Sequence, residues 1–489
     1  MTDAFREQTG AAAGGAIHLG RTRSVHFVGI GGIGMSGIAE LLVNLGYDVS
    51  GSDLRRSDVT DRLASLGARI HTGHNASHIG AADVVVVSSA VASDNPEVLA
   101  ARARHVPVIP RAEMLAELMR LRVGIAVAGA HGKTTTTSMI AWMLERAGLD
   151  PTAVIGGRLS AFGSNARLGR GQLMVAEADE SDRSFLKLSP AIAVLTNIDR
   201  EHLEAYGTFD RLLDAFEAFA GRVPFYGAVV ACLDDAPVAA LLARLGRRTI
   251  TYGFSTGADV RGEHPQSDGR SAQCDVVYDI RVPAGAGSGR LELGVPGRHN
   301  LQNALAATAV GLEIGLPFAR IASALATFRG AERRYQLRGE ARGVTVVDDY
   351  GHHPAEIGAV LRTARDGRPG RVVAVFQPHR YTRTRDLVDD FGPALGLADV
   401  VVLTDIYAAG ESPLPGVTIS TLADAVRPHV SELHVVASLD DVPAAVAGLV
   451  RDGDLVVTLG AGSIGAAADR ILAAIGDGAP TSSHAGGAR

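Results

Sequence analysis

The sequence predicts an α/β protein made of doubly wound, mostly parallel sheets. Short β-branched runs alternate with helical patterns along most of the chain. Two strand, loop and helix units of the kind that hold phosphate groups occur near residues 27 and 129. At 489 residues the chain exceeds one ordinary core, so two to four domains are expected.

The first unit is "FVGIGGIGMSG", residues 27–37. The apolar run Val25 to Val28 reads as a strand, Gly29, Gly31 and Gly34 satisfy G-x-G-x-x-G, and Ile38, Leu41, Leu42 and Leu45 follow at helical spacing. Asp53 ends a second short strand about 20 residues further on, where a dinucleotide site places an acid for a ribose hydroxyl. Alone, this suits a nicotinamide-dependent oxidoreductase. The same glycines suit any diphosphate, because what they provide is close backbone approach at a helix N-terminus.

Further strands are expected at 83–89, 124–130, 173–179, 191–199, 227–235, 344–350, 371–377, 399–405 and 454–462. Most run into polar or glycine residues, and ligands of such sheets bind beyond the carboxyl ends of the strands. Residues 257–289, rich in Gly, Ser, Asp and Pro, read as a hairpin and a loop. The strand at 124–130 opens the second phosphate unit, "GIAVAGAHGKTTTTSMIAWML". Gly132, Lys133 and Thr134 form the core of a phosphate loop: backbone N–H groups wrap the phosphates, the lysine meets the terminal ones and the hydroxyl suits Mg²⁺. The strict motif wants glycine at Val127; this chain has it at Gly129 instead.

Two acidic strand ends follow. "VAEADESDRSF" carries Glu177, Asp179, Glu180 and Asp182, and "TNIDREHLEAY" carries Asn197, Asp199 and His202. Carboxylates suit a hard Mg²⁺ ion and imidazole is a less usual ligand for it; the plain alternative is a pair of solvated loops. Asn300 and Asn303, three apart at a helix start, suit either a cap or the donor and acceptor edge of adenine. A net charge of −6 without a basic block argues against nucleic acid, and no apolar run approaches the ~20 residues of a membrane span. Two cysteines give no disulfide framework and fit a reducing, cytoplasmic setting. Residues 1–22 and 476–489 read as flexible tails, the former without the apolar core of a signal peptide.

The ordered set "GIGGIGMSGIAE", "SSAV...DNPE", "RAEML", "GAHGKTTTT", "EADESDRSF", "TNIDREH", "PGRHNLQNA", "ERRYQLRGE", "DDYGHHPAE", "FQPHRYTRT", "DIYAAGE" and "GAGS", from about residue 24 to 470, resembles the Mur ligases of peptidoglycan synthesis. Two departures are Ala130, usually threonine, and Glu201, usually aspartate. The resemblance implies three domains: a Rossmann-like UDP-sugar domain at 1–113, a central P-loop-type ATPase domain at 114–330 and a Rossmann-like amino-acid domain at 331–489. It implies ligation of L-alanine to the lactyl carboxylate of UDP-N-acetylmuramate through an acyl phosphate, with ATP and Mg²⁺, or Mn²⁺ in its place. A ligase that recycles whole peptides onto the same sugar nucleotide is the neighbouring reading; an oxidoreductase or a nucleotide sensor is the reading from another class.

Carried onto this chain, the family's motifs give Gly29, Gly31, Gly32, Gly34, Ser36 and Asp53 to the sugar nucleotide. Gly129, Ala130, His131, Gly132, Lys133, Thr134 and Thr135 go to the ATP phosphates, and Asn300 and Asn303 to adenine. Thr134, Glu177 and His202 go to the metal; Lys133, His202, Arg334 and Asp349 serve the chemistry. Arg380 and Arg383 are read as a clamp for carboxylates of alanine or the muramyl group, planar forks suiting carboxylates, against a solvated turn. His352 and His353 make a weak zinc signal and are read as substrate-facing.

Overall fold

The computed structural model describes residues 19–88, 90–159, 164–279, 285–367 and 370–477. Most of both expected tails, residues 1–18 and 478–489, lies outside that range. The chain separates into two compact units. One runs to Pro265 and adds Gln273–Val295 and His299–Ala331; the other runs from Glu332 and adds Gln266–Ala272 and Pro296–Arg298.

The first unit holds two sheets. Strands β1 (Ser24–Val28), β2 (Asp48–Asp53), β3 (Arg69–Thr72), β4 (Val84–Val87) and β5 (Val108–Pro110) form an all-parallel sheet in the order 3-2-1-4-5. That order reverses direction at β1, the switch point where such sheets take ligands. The loop after β1 leads into helix α1 (Ile33–Asn44), and helices α2 (Pro96–Ala103) and α3 (Arg111–Arg120) follow β4 and β5.

The second sheet has ten strands: β6 (Val123–Ala128), β7 (Thr152–Leu159), β8 (Ser164–Arg167), β9 (Leu173–Glu177), β10 (Ile192–Leu195), β11 (Ala228–Cys232), β12 (Thr249–Gly253), β13 (Val260–Ser267), β14 (Ala272–Asp279) and β15 (Ala286–Leu293). Their order is 15-14-13-12-11-10-6-9-7-8. Strand β6 pairs in parallel with β10 on one side and β9 on the other. Helix α4 (Lys133–Arg146) leaves the loop after β6, and helix α5 (Arg298–Glu313) follows β15. Within 257–289, where a hairpin and a loop are expected, β13 and β14 are sheet neighbours joined by the short turn 268–271, and β15 adds a third strand, with 280–284 outside the described residues. Cys232 and Cys274 are buried here as free thiols, and burial pushes them up to about 11 and about 12.

The second unit contains one sheet, β16 (Gln336–Ala341), β17 (Val344–Asp349), β18 (Val372–Phe376), β19 (Val400–Leu403), β20 (Glu432–Val435) and β21 (Leu455–Leu459), in the order 16-17-21-18-19-20. Only the edge pair β16 and β17 is antiparallel. Val373 and Val375 feed one apolar cluster while Val372, Ala374 and Phe376 feed another, so β18 is buried on both faces and reads as a continuous apolar run. Helix α6 (Pro354–Arg365) follows β17.

A buried carboxylate braces the loop after β1. Glu97, in the first turn of α2, is fully buried and accepts hydrogen bonds from the Ser52 hydroxyl at 2.6 Å and the Asn75 N–H at 3.1 Å. His26 Nε2 stands 3.3 Å and His78 Nδ1 3.0 Å from its oxygens. The carbonyl of Ser52 in turn accepts the N–H groups of Gly29 at 2.8 Å and Ile30 at 3.0 Å. Burial alone raises the Glu97 carboxyl; the bonds from His26, Ser52, Asn75 and His78 outweigh it and hold the group at about 2.

A carboxylate whose folded-state value lies below its usual 4.5 stabilises the fold fully above that value and stops doing so as pH falls through about 2. Chemical denaturation should therefore show the parent losing stability between pH 4.5 and 2 by a margin absent from Glu97→Gln; coincident pH profiles would remove Glu97 from that account.

Candidate active site

The parallel order 10-6-9 brings three strand ends side by side: the loop after β6, the acids after β9 and the TNIDREH segment after β10. Gly132 precedes α4 in the left-handed region, φ +79°, and a Cβ there would stand 2.7 Å from Asn303 Oδ1, so the loop can turn against α5 only as glycine. Asn300 and Asn303 are both buried near the start of α5, and Asn303 backs the phosphate loop. The loop is pinned from β10 as well: Asn197 Oδ1 accepts the His131 N–H at 2.8 Å, the Asn197 carbonyl accepts the Ala130 N–H at 3.0 Å, and Asn197 Nδ2 donates to the His131 carbonyl at 3.0 Å. His131 Nε2 lies 3.0 Å from Asp199.

Lys133 donates to the carbonyls of Gly129 (2.6 Å) and Ala130 (3.0 Å) and to Glu180 Oε1 (2.8 Å). Burial works against its charge, yet the carboxylates of Glu180 and Glu177 overcome this and push it up to about 12. Glu180 is raised to about 7, by burial first, against the pull of Lys133 and with the push of Asp179. Its second oxygen, Oε2, is buried without a hydrogen-bond partner. Thr134 and Thr135 are buried on the first turn of α4, and the Thr134 hydroxyl donates to Glu177 at 3.0 Å. Glu177 also accepts the Gly156 N–H at 2.8 Å.

His202 falls with a different pair of acids. Its Nε2 is 3.9 Å from Glu180 and 4.0 Å from Glu201, and one ligand atom from each of the three lies within 4.8 Å of the others. Two carboxylates and an imidazole from the two loops after β9 and β10 make a donor set that fits a divalent cation, and the unpartnered Glu180 Oε2 points to the same need. Of the expected metal residues, Thr134 and Glu177 thus pair with each other, while His202 stands with Glu180 and Glu201. Glu201 and His202 are chain neighbours, but spacing carries no signal that Glu180 joins them from another strand end.

In the first sheet, Gly32 caps α1 and its N–H bonds the Gly29 carbonyl. Asp53 Oδ2 accepts the Gly31 N–H at 2.9 Å, so this acid braces its own loop. Ser36 is buried on α1. In the second unit, Asp349 ends β17 and accepts the N–H groups of Tyr335 (2.7 Å) and Gly351 (2.6 Å). Burial raises it to about 6 in spite of Arg334 and those bonds. Arg334 stacks over the Tyr350 ring at 5.2 Å, and His353 caps α6.

Arg380 and Arg383 lie beside His379, which Arg383 Nη1 approaches at 3.2 Å at Nδ1. Arg380 sits at φ +70° with its Nε buried and without a hydrogen-bond partner, a strained cation held ready for an acceptor. His352 and His379 stand 5.4 Å apart, centroid to centroid, and Tyr407 stacks on His379 at 5.6 Å. Burial lowers His352 to about 3 and His379 to about 4, the latter helped by both arginines. The rings border an arginine pair, whose positive charge favours an anion over a metal cation beside them; sequence spacing did not show that His379 and Tyr407 join them.

Three family models match in order: "Mur ligase family, catalytic domain" at residues 24–122, "Mur ligase middle domain" at 127–311 and "Mur ligase, glutamate ligase domain" at 333–462. A protein of Anaeromyxobacter dehalogenans named UDP-N-acetylmuramate–L-alanine ligase is 55% identical over 93% of this chain and 98% of its own length. One of the same name from Geobacter sulfurreducens is 52% identical over 93% and 98%. Among solved structures, the UDP-N-acetylmuramate-alanine ligase of Thermotoga maritima matches with a TM-score of 0.77 at 31% identity, over 92% of this chain and 98% of that one. A murein peptide ligase of Psychrobacter arcticus matches at 0.68 and 25% identity, over 94% and 99%. With its fold, its phosphate loop and all three models in register, the chain belongs to the Mur ligase family.

Proposed function

We propose that this chain is an ATP-dependent ligase that joins L-alanine to the lactyl carboxylate of UDP-N-acetylmuramate in the cytoplasmic stage of peptidoglycan synthesis. The observation that carries the reading is the convergence of a buried lysine and three acids, Glu177, Glu180 and Asp199, on one phosphate loop, in a chain 52–55% identical to L-alanine ligases over nearly their whole length. The peptide-recycling alternative has the weaker support, solved structures at 25% and 29% identity. An oxidoreductase has no use for a second phosphate loop with its own acids.

Joining a carboxylate to an amine is uphill in water. A lactyl oxygen attacks the γ-phosphorus of ATP, ADP leaves, and the acyl phosphate formed is then attacked by the alanine amine, with phosphate as the leaving group. Phosphoryl transfer asks the protein chiefly for position and charge. The loop from Gly129 to Thr135 supplies N–H groups, and Lys133 turns from its own carbonyls to the terminal phosphates. Asn303 stands against that loop, and Asn300 and Asn303 would serve the adenine edge. Mg²⁺ contributes charge neutralisation on the phosphates; Thr134 with Glu177, and His202 with Glu180 and Glu201, are the residues that would hold it. Gly29, Gly31, Gly32, Gly34 and Ser36 receive the diphosphate of the sugar nucleotide, while Arg380 and Arg383 take the alanine carboxylate.

ADP and phosphate should form only when ATP, Mg²⁺, UDP-N-acetylmuramate and L-alanine are all supplied; brisk turnover without the sugar nucleotide would sink the ligase assignment. Lys133→Ala leaves Glu180 free to take up a proton, so the variant should fold, bind the sugar nucleotide normally and lose about 10²–10³ in kcat. Near-parental kcat would remove the lysine from the transfer step. Glu177→Ala and His202→Ala should each need more Mg²⁺ for half-maximal rate, with Asp182→Ala as the control, and Mn²⁺ should partly restore His202→Gln. Parental Mg²⁺ titrations at full rate in both variants would strike them from the metal site.

A further inference from the structure

Arg111 opens the RAEML segment at the start of α3 and takes no part in the chemistry assigned so far. Its guanidinium reaches back from the end of β5 to the first turn of α1. A Cβ on Gly34 would lie 1.8 Å from Arg111 Nη1 and 2.8 Å from Cζ, so the third glycine of the motif is needed for the arginine to occupy that position. On its other side Nη2 stands 3.5 Å from Asp179 Oδ2, beyond the ~2.7–2.9 Å of a good charge-assisted hydrogen bond. Among the described residues this loose pair is the only ion pair of the Arg111 side chain.

A guanidinium carries five N–H donors in a fixed fork, and most of this one's capacity is unspent although only about a third of the side chain meets solvent, 31%. It borders a cavity of about 60 Å³ with Gly34, Glu177, Asp179 and Ser184. That space is about two water molecules, or one small oxyanion group. The cavity lies between two ligand segments of the first unit: Gly34 is on the first turn of α1, which the glycine loop leads into, and Glu177 is at the strand end beside Thr134.

We infer that Arg111 is a binding residue for the sugar nucleotide, taking one of its oxyanions in the cavity between the glycine loop and the acidic end of β9. The inference rests on the functional reading above. The substrate offers two sources of that chemistry, the diphosphate and the lactyl carboxylate. Either way the arginine trades a distant partner, Asp179, for a closer one, and the acid is released to face the ATP side. A merely structural arginine, clipping α3 to the turn after β9, would do neither.

The test is calorimetric binding of UDP-N-acetylmuramate and of UDP-N-acetylglucosamine, which carries the diphosphate without the lactyl group. Arg111→Ala, Arg111→Lys and, as a control on the same helix, Glu113→Ala are compared with the parent, each checked for unchanged melting without ligand. Arg111→Ala should weaken the muramyl nucleotide about 10- to 100-fold, the scale of a charge-assisted pair, with ATP affinity unchanged. Arg111→Lys should recover part of the loss, since it keeps the charge and loses the fork. An equal loss for both nucleotides assigns the diphosphate; a loss confined to the muramyl nucleotide assigns the carboxylate. If Arg111→Ala fails to fold, Arg111→Lys carries the test with the smaller drop. Parental affinity for both nucleotides in a normally melting variant overturns the inference, whereas a parent that binds neither nucleotide overturns the functional reading beneath it.

Discussion

The parallel pairing of β6 with β10 on one side and β9 on the other is the constraint from which the candidate site follows. A parallel strand cannot turn back on its neighbour, so each of these three must leave the sheet at the same edge. Three loops far apart in sequence are thereby stacked in one row: a lysine with backbone N–H groups, a pair of glutamates, and a histidine with another glutamate. The central strand carries the phosphate loop, and acids arrive from both sides. No single loop could hold so much charge without neighbours to balance it.

Two buried glutamates show what the surroundings decide. Glu97 receives hydrogen bonds from backbone, hydroxyl and imidazole groups and is held strongly ionised. Glu180, nearly as inaccessible, has one cation and one unpartnered oxygen, and its burial carries it toward neutrality. The difference lies in how many donors reach each carboxylate, not in burial itself. The first arrangement fixes a loop. The second leaves a carboxylate with capacity in reserve, which suits a place where charge must arrive and depart.

Much of this architecture was legible in the sequence because central parallel strands are buried on both faces and read as plain apolar runs, as in Val84–Val87 or Val400–Leu403. Several of the strands that escaped are of the other kind, although the apolar β7 and β12 escaped too. β3, RIHT, carries too many polar residues to signal burial, and β20 is a short edge. In the site, Lys133 and Thr134 were readable because the phosphate loop is local. The grouping of His202 with Glu180 and Glu201, the brace at Glu97, and the joining of His379 and Tyr407 to the arginines all depend on pairing between distant segments, which spacing does not encode. Asp53 shows the reverse case: the acid was visible, but its partner is its own loop's Gly31.

The two cysteines have a practical side. Cys232 and Cys274 are enclosed in the first unit, and burial keeps both as thiols at neutral pH, so neither presents the thiolate that maleimides and similar reagents attack. The native chain is therefore chemically silent toward such labels. A single cysteine introduced on an exposed surface would be the lone reactive handle, and a spin or fluorescent probe could be attached to this protein without first stripping out its own sulfur.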